Sequence, residues 1–411
     1  MKALRKPVYL AAGAYTMSMG TGRKEFDPKK ARPGLEHYID EAVRAVLAQI
    51  ANPDLVDEGV IANFMAARFN RQGNLASLLA AAHPALRYKP MVRVEGACGT
   101  GGLGLATGIK TVLADMADVV LVVGVEVQNT VKAVYGADIL AGAGHYASQR
   151  KAGHAHFFPA RFSDRAGAYF ARYGAERTRQ AMAAWYANAI ANARLNPLAQ
   201  EFHNTAPDLV KLGMSRPDPE SFTEHLNFYD CSKVSDGAAA VLVCSEEGLA
   251  RLGLGRDAAV QVAGYGQVVD DLVQAPPDLT ALTTSRKAVE HALGQAGIGV
   301  GDVGVFEVHD CFTITGILAV EALGLAQPGE GPDLVLGGGI ARNGEHPTNT
   351  SGGLIGYGHP TGASGVRMAV DLWKQLVGRA EGFQVPLARE YGLMISMGGD
   401  DKTVVAVALR K

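Results

Sequence analysis

The sequence presents one short pattern twice: an apolar β-type run, then a cysteine, then a run with helical spacing. Cys98 follows the run 91–97 and precedes leucine and isoleucine residues at helical spacing. Cys311 follows the run 305–309 and precedes a second such stretch that ends at Leu323. Apolar residues at a period of 3.6 predict helices, and continuous apolar runs predict strands that are covered on both faces. The pattern therefore favours an α/β chain of two related halves.

Weaker repeats support the same division. The segment 8–15 resembles 260–266, and the helix-like segment 39–50 resembles 287–296. We place the halves at residues 1–255 and 256–411, a length that suits more than one domain. Residues 128–226 have no counterpart in the second half, so they are interpreted as a domain inserted into the first.

Each cysteine is placed where a helix is expected to begin. The positive end of a helix dipole and unpaired N–H groups favour a thiolate, the form that attacks carbonyl carbon. A single cysteine is more often buried and inert. The duplicated context favours the catalytic interpretation for Cys98.

A glycine-rich segment at 349–365 contains His359 between Gly358 and Pro360. So many glycines predict tight loops that let the backbone approach a ligand. An imidazole fixed in such a loop can accept the proton of a thiol. A surface histidine solvated by water is the alternative.

Together these motifs resemble the thiolase superfamily over nearly the whole chain. The segment 309–312, His-Asp-Cys-Phe, resembles the motif of the sterol-carrier-protein-linked thiolases, and 358–365 is similar to the family loop Gly-His-Pro-x-Gly-x-x-Gly. The segment 235–241 resembles the strand that closes the N-terminal half. The resemblance implies the thiolase fold: an α/β arrangement of two related βαβ-type halves, each with a mixed sheet, in five αβαβα layers, with a loop domain inserted at about 128–226.

The resemblance also implies roles for five residues in Claisen chemistry. Cys98 would carry the acyl group, and His359 would take its proton. His309 would donate to one oxyanion, and Cys311 would exchange the α-proton. Gly398 would donate its N–H to the acyl oxyanion.

The resemblance fails near the C-terminus. Common thiolases have a Cys-x-Gly motif there, whereas this chain has Ser396 two residues before Gly398. An alcohol is far less acidic than a thiol, so Cys311 is expected to replace that cysteine. Asp400 and Asp401 follow, and we expect both carboxylates to point away from the oxyanion hole.

Coenzyme A or acyl-CoA is the implied substrate, and no tightly bound cofactor is expected. Ser232 corresponds to a serine that contacts the pantetheine arm, with a polar strand-entry residue as the alternative. Lys151 and Arg161 in the insertion are candidates for the phosphates. His154 and His156 lack a suitable companion for a metal, so no metal site is predicted.

Composition narrows the class of protein. The net charge of −2 gives no basic surface for nucleic acid. Four scattered cysteines suggest reduced thiols, and the absence of a long apolar run predicts no membrane span, so we expect a cytoplasmic protein. Thiolase-like proteins pair across a two-fold axis, which implies a homodimer or homotetramer.

Three functions follow from the resemblance. The first is an acyl-CoA C-acyltransferase, a thiolase of lipid or fatty acid metabolism that makes or cleaves 3-ketoacyl-CoA. The second is a thiolase-fold retro-aldolase acting on a β-hydroxyacyl-CoA with a small zinc-ribbon/OB-fold partner. The third is a non-catalytic member that binds acyl-CoA. The presence of Cys98 favours the acyltransferase.

Overall fold

The computed structural model describes residues 2–149 and 155–411. Nine strands have the following bounds: β1 Val8–Tyr15, β2 Glu58–Ala62, β3 Met91–Val94, β4 Val119–Val127, β5 Asp236–Ser245, β6 Ala259–Val269, β7 Val303–Glu307, β8 Tyr391–Gly398 and β9 Thr403–Arg410.

Fifteen α-helices are described, with these bounds: α1 Leu35–Leu47, α2 Ala66–Phe69, α3 Leu75–Ala81, α4 Thr100–Leu113, α5 Ala133–Leu140, α6 Tyr146–Gln149, α7 Phe157–Tyr173, α8 Ala175–Ala193, α9 Leu209–Gly213, α10 Glu246–Arg251, α11 Thr283–Ala296, α12 Thr313–Leu323, α13 Gly331–Leu336, α14 Gly353–Tyr357 and α15 Thr361–Leu376.

The strands lie in the order β3-β2-β4-β5-β1-β6-β9-β8-β7. β2 is parallel to β3 and β4, and β7 is parallel to β8, whereas the other pairs are antiparallel. Strands of the first half occupy one side of the order and strands of the second half the other. A short ladder between β1 and β6 joins them, so hydrogen bonding runs through all nine strands.

Strand β4 shows why the sequence requires helices on both faces. Its residues are all buried, and alternate side chains enter different cores because neighbouring side chains point to opposite faces. Leu121 and Val123 pack with α1 and α3. Val120 and Val122 pack with α4 and α15. The uninterrupted apolar run therefore reflects a strand covered on both sides.

Helices α4 and α15 form the central layer, because each contacts strands of both halves. Val405 of β9 faces α4, since a Cβ on Gly102 would lie 2.8 Å from the Val405 Cβ. On the opposite face of β6 and β9, Gly264 and Gly266 let α11 approach closely. The five-layered α/β fold is therefore confirmed.

The segment between β4 and β5 contains helices α5 to α9 and, within its described residues, no strand. Helix α8 packs against α12, α13 and α14, which places the insertion over the second half. No helix among residues 2–149 and 155–411 is long and apolar enough to cross a membrane.

Candidate active site

Cys98 lies in a 3-10 turn, Ala97–Gly99, between β3 and α4. The turn is held by its neighbours: the Gly96 N–H donates to Thr100 Oγ1 over 2.9 Å, and the Ala97 N–H donates to Glu95 Oε1 over 2.6 Å. Ala97 has a φ of 54°, so the turn begins with a residue in the left-handed backbone conformation. Cys98 is partly exposed. The predicted strand-cysteine-helix element is confirmed.

The surroundings of Cys98 oppose the thiolate that the start of a helix favours. Burial of the sulfur raises its pKa to about 12, and the carboxylates of Glu126 and Glu95 add to this effect. A backbone hydrogen bond at Cys98 lowers the pKa, but by less. The resting nucleophile is therefore a neutral thiol, which requires a base during attack.

The backbone of His359 is fixed from three directions. Its N–H lies 2.9 Å from Ser235 Oγ and 3.1 Å from the Lys233 carbonyl. The Gln128 side chain donates to the His359 carbonyl over 2.7 Å. Gly358 is required before it, because its φ is 111° and a Cβ would lie 2.2 Å from Ser18 Oγ. These contacts fix the backbone conformation of the glycine-rich loop around His359.

The ring of His359 is held on one side and open on the other. Nδ1 lies 2.7 Å from Ser364 Oγ, whereas Nε2 is buried without a hydrogen-bond partner among the described residues. Burial holds the pKa of His359 well below its usual range, and His309 and Arg367 lower it further. A neutral imidazole with one free nitrogen is suited to accept a proton.

The residues on either side of His309 are held by the glycine-rich segment 349–365. Asn349 donates from Nδ2 to the Val308 carbonyl over 3.1 Å and accepts the Val308 N–H over 2.8 Å. Asp310 accepts the Leu354 N–H over 2.7 Å. The pKa of His309 falls to about 3 because the ring is buried and Arg367 is near.

The structure brings Cys98, His309 and His359 together from the two halves. Cys98 Sγ and one ring nitrogen of each histidine lie within 4.8 Å of one another. The two rings meet edge to face with centroids 5.0 Å apart. These donors are also close enough to bind a metal ion, and the absence of a metal site stays a prediction. A thiol between two neutral imidazoles can transfer its proton and meet a polarised carbonyl.

Gly398 ends β8 directly against the Cys98 turn. A Cβ at Gly398 would lie 2.3 Å from the Gly96 carbonyl oxygen, 2.6 Å from Gly99 N and 3.1 Å from Cys98 N. Only glycine permits this approach. Gly398 therefore lies directly beside the backbone nitrogen of Cys98, the placement expected of two residues that share an oxyanion hole.

Cys311 is buried just before α12, with Sγ 3.8 Å from Thr315 Oγ1. Burial raises its pKa well above the usual range, and the Cys98 sulfur adds to the effect. Ser232, the coenzyme A candidate, lies beside it, because the Ser232 N–H donates to the Cys311 carbonyl over 2.9 Å. Ser232 is half-buried.

The two aspartates after Gly398 have other partners, as expected. Asp400 accepts from Arg165 Nε over 2.5 Å. Asp401 caps α11 by accepting the N–H groups of Thr284 and Ser285 over 2.8 and 2.9 Å. Their charges are thus held by groups outside the Cys98 turn.

Some candidates remain apart from this cluster. Lys151 and His154 lie outside the described residues. His156 directly precedes α7, and its ring packs edge to face on Phe222 at 5.2 Å. Arg161 is half-buried on α7. A phosphate role for Lys151 or Arg161 stays a prediction.

Sequence analysis missed Glu126, a fully buried carboxylate at the end of β4. It accepts hydrogen bonds from Phe64 N, Thr361 Oγ1 and Gly362 N, among others. It therefore connects the loop after β2 to the start of α15, which follows His359. A single charged residue near the end of an otherwise uncharged apolar strand was the available signal.

Comparisons with known proteins agree with the fold. Residues 12–247 match the family model described as thiolase, N-terminal domain, and residues 266–411 match the one described as thiolase C-terminal domain-like. An acetyl-CoA acetyltransferase of Methanothermobacter thermautotrophicus is 34% identical over 87% of this chain and 88% of its own length. A benzoylsuccinyl-CoA thiolase subunit of Thauera aromatica is 28% identical over 96% of each chain.

Solved structures show the same fold. The human mitochondrial 3-ketoacyl-CoA thiolase superposes with a TM-score of 0.70 at 17% identity, covering 100% of both chains. The structure titled Ltp2-ChsH2(DUF35) aldolase gives a TM-score of 0.76 at 20% identity, covering 100% of this chain and 99% of that chain. The chain belongs to the thiolase family.

The expected class of enzyme is also confirmed, because relatives aligned over most of the chain are acyltransferases of the thiolase type. The protein is a thiolase.

Proposed function

We propose that the protein makes or cleaves 3-ketoacyl-CoA through an acyl group carried on Cys98. The observation that carries this proposal is the meeting of Cys98 Sγ with ring nitrogens of His309 and His359 within 4.8 Å. A nucleophile, a base and a second imidazole donor are the groups that thioester Claisen chemistry needs.

In the cleavage direction, Cys98 Sγ adds to the 3-keto carbon while its proton passes to His359 Nε2. The new oxyanion is held by the amides of Cys98 and Gly398. Collapse breaks the C2–C3 bond and sends its electron pair into the thioester enolate, whose oxygen accepts from His309. Cys311 then gives its proton to C2, which releases acetyl-CoA and leaves the acyl group on Cys98.

Coenzyme A completes the cycle. Its thiol gives a proton to the Cys311 thiolate and attacks the acyl-Cys98 carbonyl. Cys98 leaves as a thiolate and recovers the proton from His359. Condensation is the same sequence in reverse.

Acyl transfer is favoured over aldol cleavage because the thiol and its base are both present. The aldolase resemblance concerns fold alone, given its 20% identity. That aldolase structure includes a DUF35 component, so a small zinc-ribbon/OB-fold partner remains part of the proposal. Retention of Cys98, His309 and His359 in one cluster supports catalysis over simple acyl-CoA binding.

The remaining features of the proposal come from the family resemblance. Acyl-CoA is the substrate, Ser232 contacts the pantetheine arm, and no tightly bound cofactor is required. The chain works in the cytoplasm in lipid metabolism as a homodimer or homotetramer. Its exposed edge strand β3 is the proposed dimer contact.

Thiolysis of 3-ketoacyl-CoA substrates of several chain lengths tests the proposal. The parent protein should consume them in the presence of coenzyme A, and Cys98→Ala should not. Cys244→Ala, which alters a buried thiol in β5, is the matched control and should retain activity. Cleavage of a β-hydroxyacyl-CoA by a protein without thiolysis would instead establish the aldolase.

A further inference from the structure

Ser364 lies in the first turn of α15, five residues after His359, and is fully buried. Its Oγ lies 2.7 Å from His359 Nδ1 and 3.1 Å from the Pro360 carbonyl oxygen. Ser364 falls inside the same glycine-rich segment, 349–365, that contains His359. Ser364 is therefore the hydrogen-bond partner of His359 Nδ1, the ring nitrogen opposite Nε2, which has no partner among the described residues.

A serine hydroxyl has one proton, so only one of these contacts can be a donation by Ser364. Serines inside helices commonly donate to the carbonyl four residues earlier, and Pro360 is that residue. If Ser364 donates to Pro360, its oxygen must accept the proton of His359 Nδ1. The proton of neutral His359 then resides on Nδ1, and Nε2 has a free lone pair.

We propose that Ser364 is a positioning residue that fixes this tautomer of His359, with Nε2 ready to take the Cys98 proton. The inference rests on the proposed function only for its catalytic consequence. The tautomer itself is a property of the resting protein.

The arrangement suits both charge states of the imidazole. When His359 is neutral, Nδ1–H donates to Ser364 Oγ. When Nε2 takes a proton, the same donation persists and becomes charge-assisted, so the hydroxyl need not turn. With the opposite tautomer, Nε2 would already carry a proton and could not serve as base.

The test is nitrogen NMR of protein labelled with ¹⁵N-histidine, without substrate. Removal of one signal set in His359→Gln assigns His359 among the 11 histidines. The parent should show a pyrrole-type Nδ1 and a pyridine-type Nε2. Ser364→Ala should lose this preference, and Ser364→Thr, which retains the hydroxyl, should keep it.

A second readout connects the tautomer to chemistry. Ser364→Ala should slow formation of acyl-Cys98 from acetyl-CoA by about 10- to 100-fold, the range seen when partners that orient a metal-bound imidazole are removed. Ser396→Ala removes another buried hydroxyl, one without a partner among the described residues, and should change neither readout. An Nε2-protonated parent, or an unchanged tautomer in Ser364→Ala, would overturn the inference whether or not thiolysis is observed.

Discussion

Trp185 donates its indole N–H to Asp310 Oδ2 over 3.0 Å, and both groups are buried. Trp185 belongs to α8 of the insertion, whereas Asp310 separates His309 from Cys311. The insertion therefore contacts the motif that supplies two side chains of the site. Phe162 of α7 adds a second contact by stacking on Phe312 at 4.5 Å.

Trp185→Phe should destabilise the protein by about 1.5–3 kcal/mol at pH 8, because hydrogen bonds to charged groups contribute that much. The pKa of Asp310 is raised to about 6, mainly by burial, so the carboxyl is ionised at pH 8 and neutral at pH 5. The indole N–H stabilises the ionised carboxylate. The free energy of unfolding lost in Trp185→Phe should therefore grow as pH rises through about 6.

Urea unfolding at both pH values measures this effect. Trp373→Phe is the matched control, since Trp373 Nε1 donates to the uncharged Ala258 carbonyl over 2.9 Å. The free energy of unfolding lost in Trp373→Phe should be the same at both pH values. If Trp185→Phe lost the same unfolding free energy at pH 5 and pH 8, the hydrogen bond from Trp185 to an ionised Asp310 would be contradicted.

Gly398→Ala should abolish thiolysis, because the added Cβ meets the Gly96 carbonyl at 2.3 Å and must displace the Cys98 turn. Gly294→Ala is the control: it lies in α11, and its Cβ would meet nothing within 4 Å. That change should keep activity and raise helix stability by roughly 0.5–1 kcal/mol. Full activity in Gly398→Ala would show that the Cys98 turn tolerates a side chain at this position and would contradict the steric argument.

Alkylation of Cys98 by iodoacetamide should keep accelerating well above pH 9, because its pKa is raised to about 12. An ordinary cysteine titrates near 8.5 and would level off above that pH. Peptide mapping isolates the rate at Cys98 from the other three thiols. A plateau by pH 9 would show that the thiolate forms more readily than this environment allows.

Strand β3 has one neighbour, β2, and Val92 on it is 40% exposed. Pairing of this edge with a second copy should make Val92→Lys a monomer of 43.1 kDa. Val94 packs partly against the core, so Val94→Asp could unfold the chain instead. Met116→Lys, at a side chain 77% exposed elsewhere, should leave the mass by light scattering unchanged. A parent protein that is an active monomer would contradict the proposed dimer.

Short sequence patterns were enough to predict several of the strands and helices. The strand-cysteine-helix pattern predicted β3 and β7 and the starts of α4 and α12. The meeting of Cys98 with His309 and His359 came from family resemblance, since sequence spacing does not fix contacts across more than 200 residues. The raised pKa of Cys98 was not foreseen, because burial and the placement of Glu126 exist only in the folded chain.

The central claim is that Cys98 carries the acyl group and that Cys311 moves the α-proton. The direct measurement is mass spectrometry of peptides after incubation with acetyl-CoA, on the parent, Cys98→Ala and Cys311→Ser. We predict an acetyl group on Cys98 in the parent and in Cys311→Ser, none in Cys98→Ala, and thiolysis reduced about 10²- to 10⁴-fold in Cys311→Ser. An adduct that persists in Cys98→Ala, or unchanged turnover in Cys311→Ser, would contradict the account.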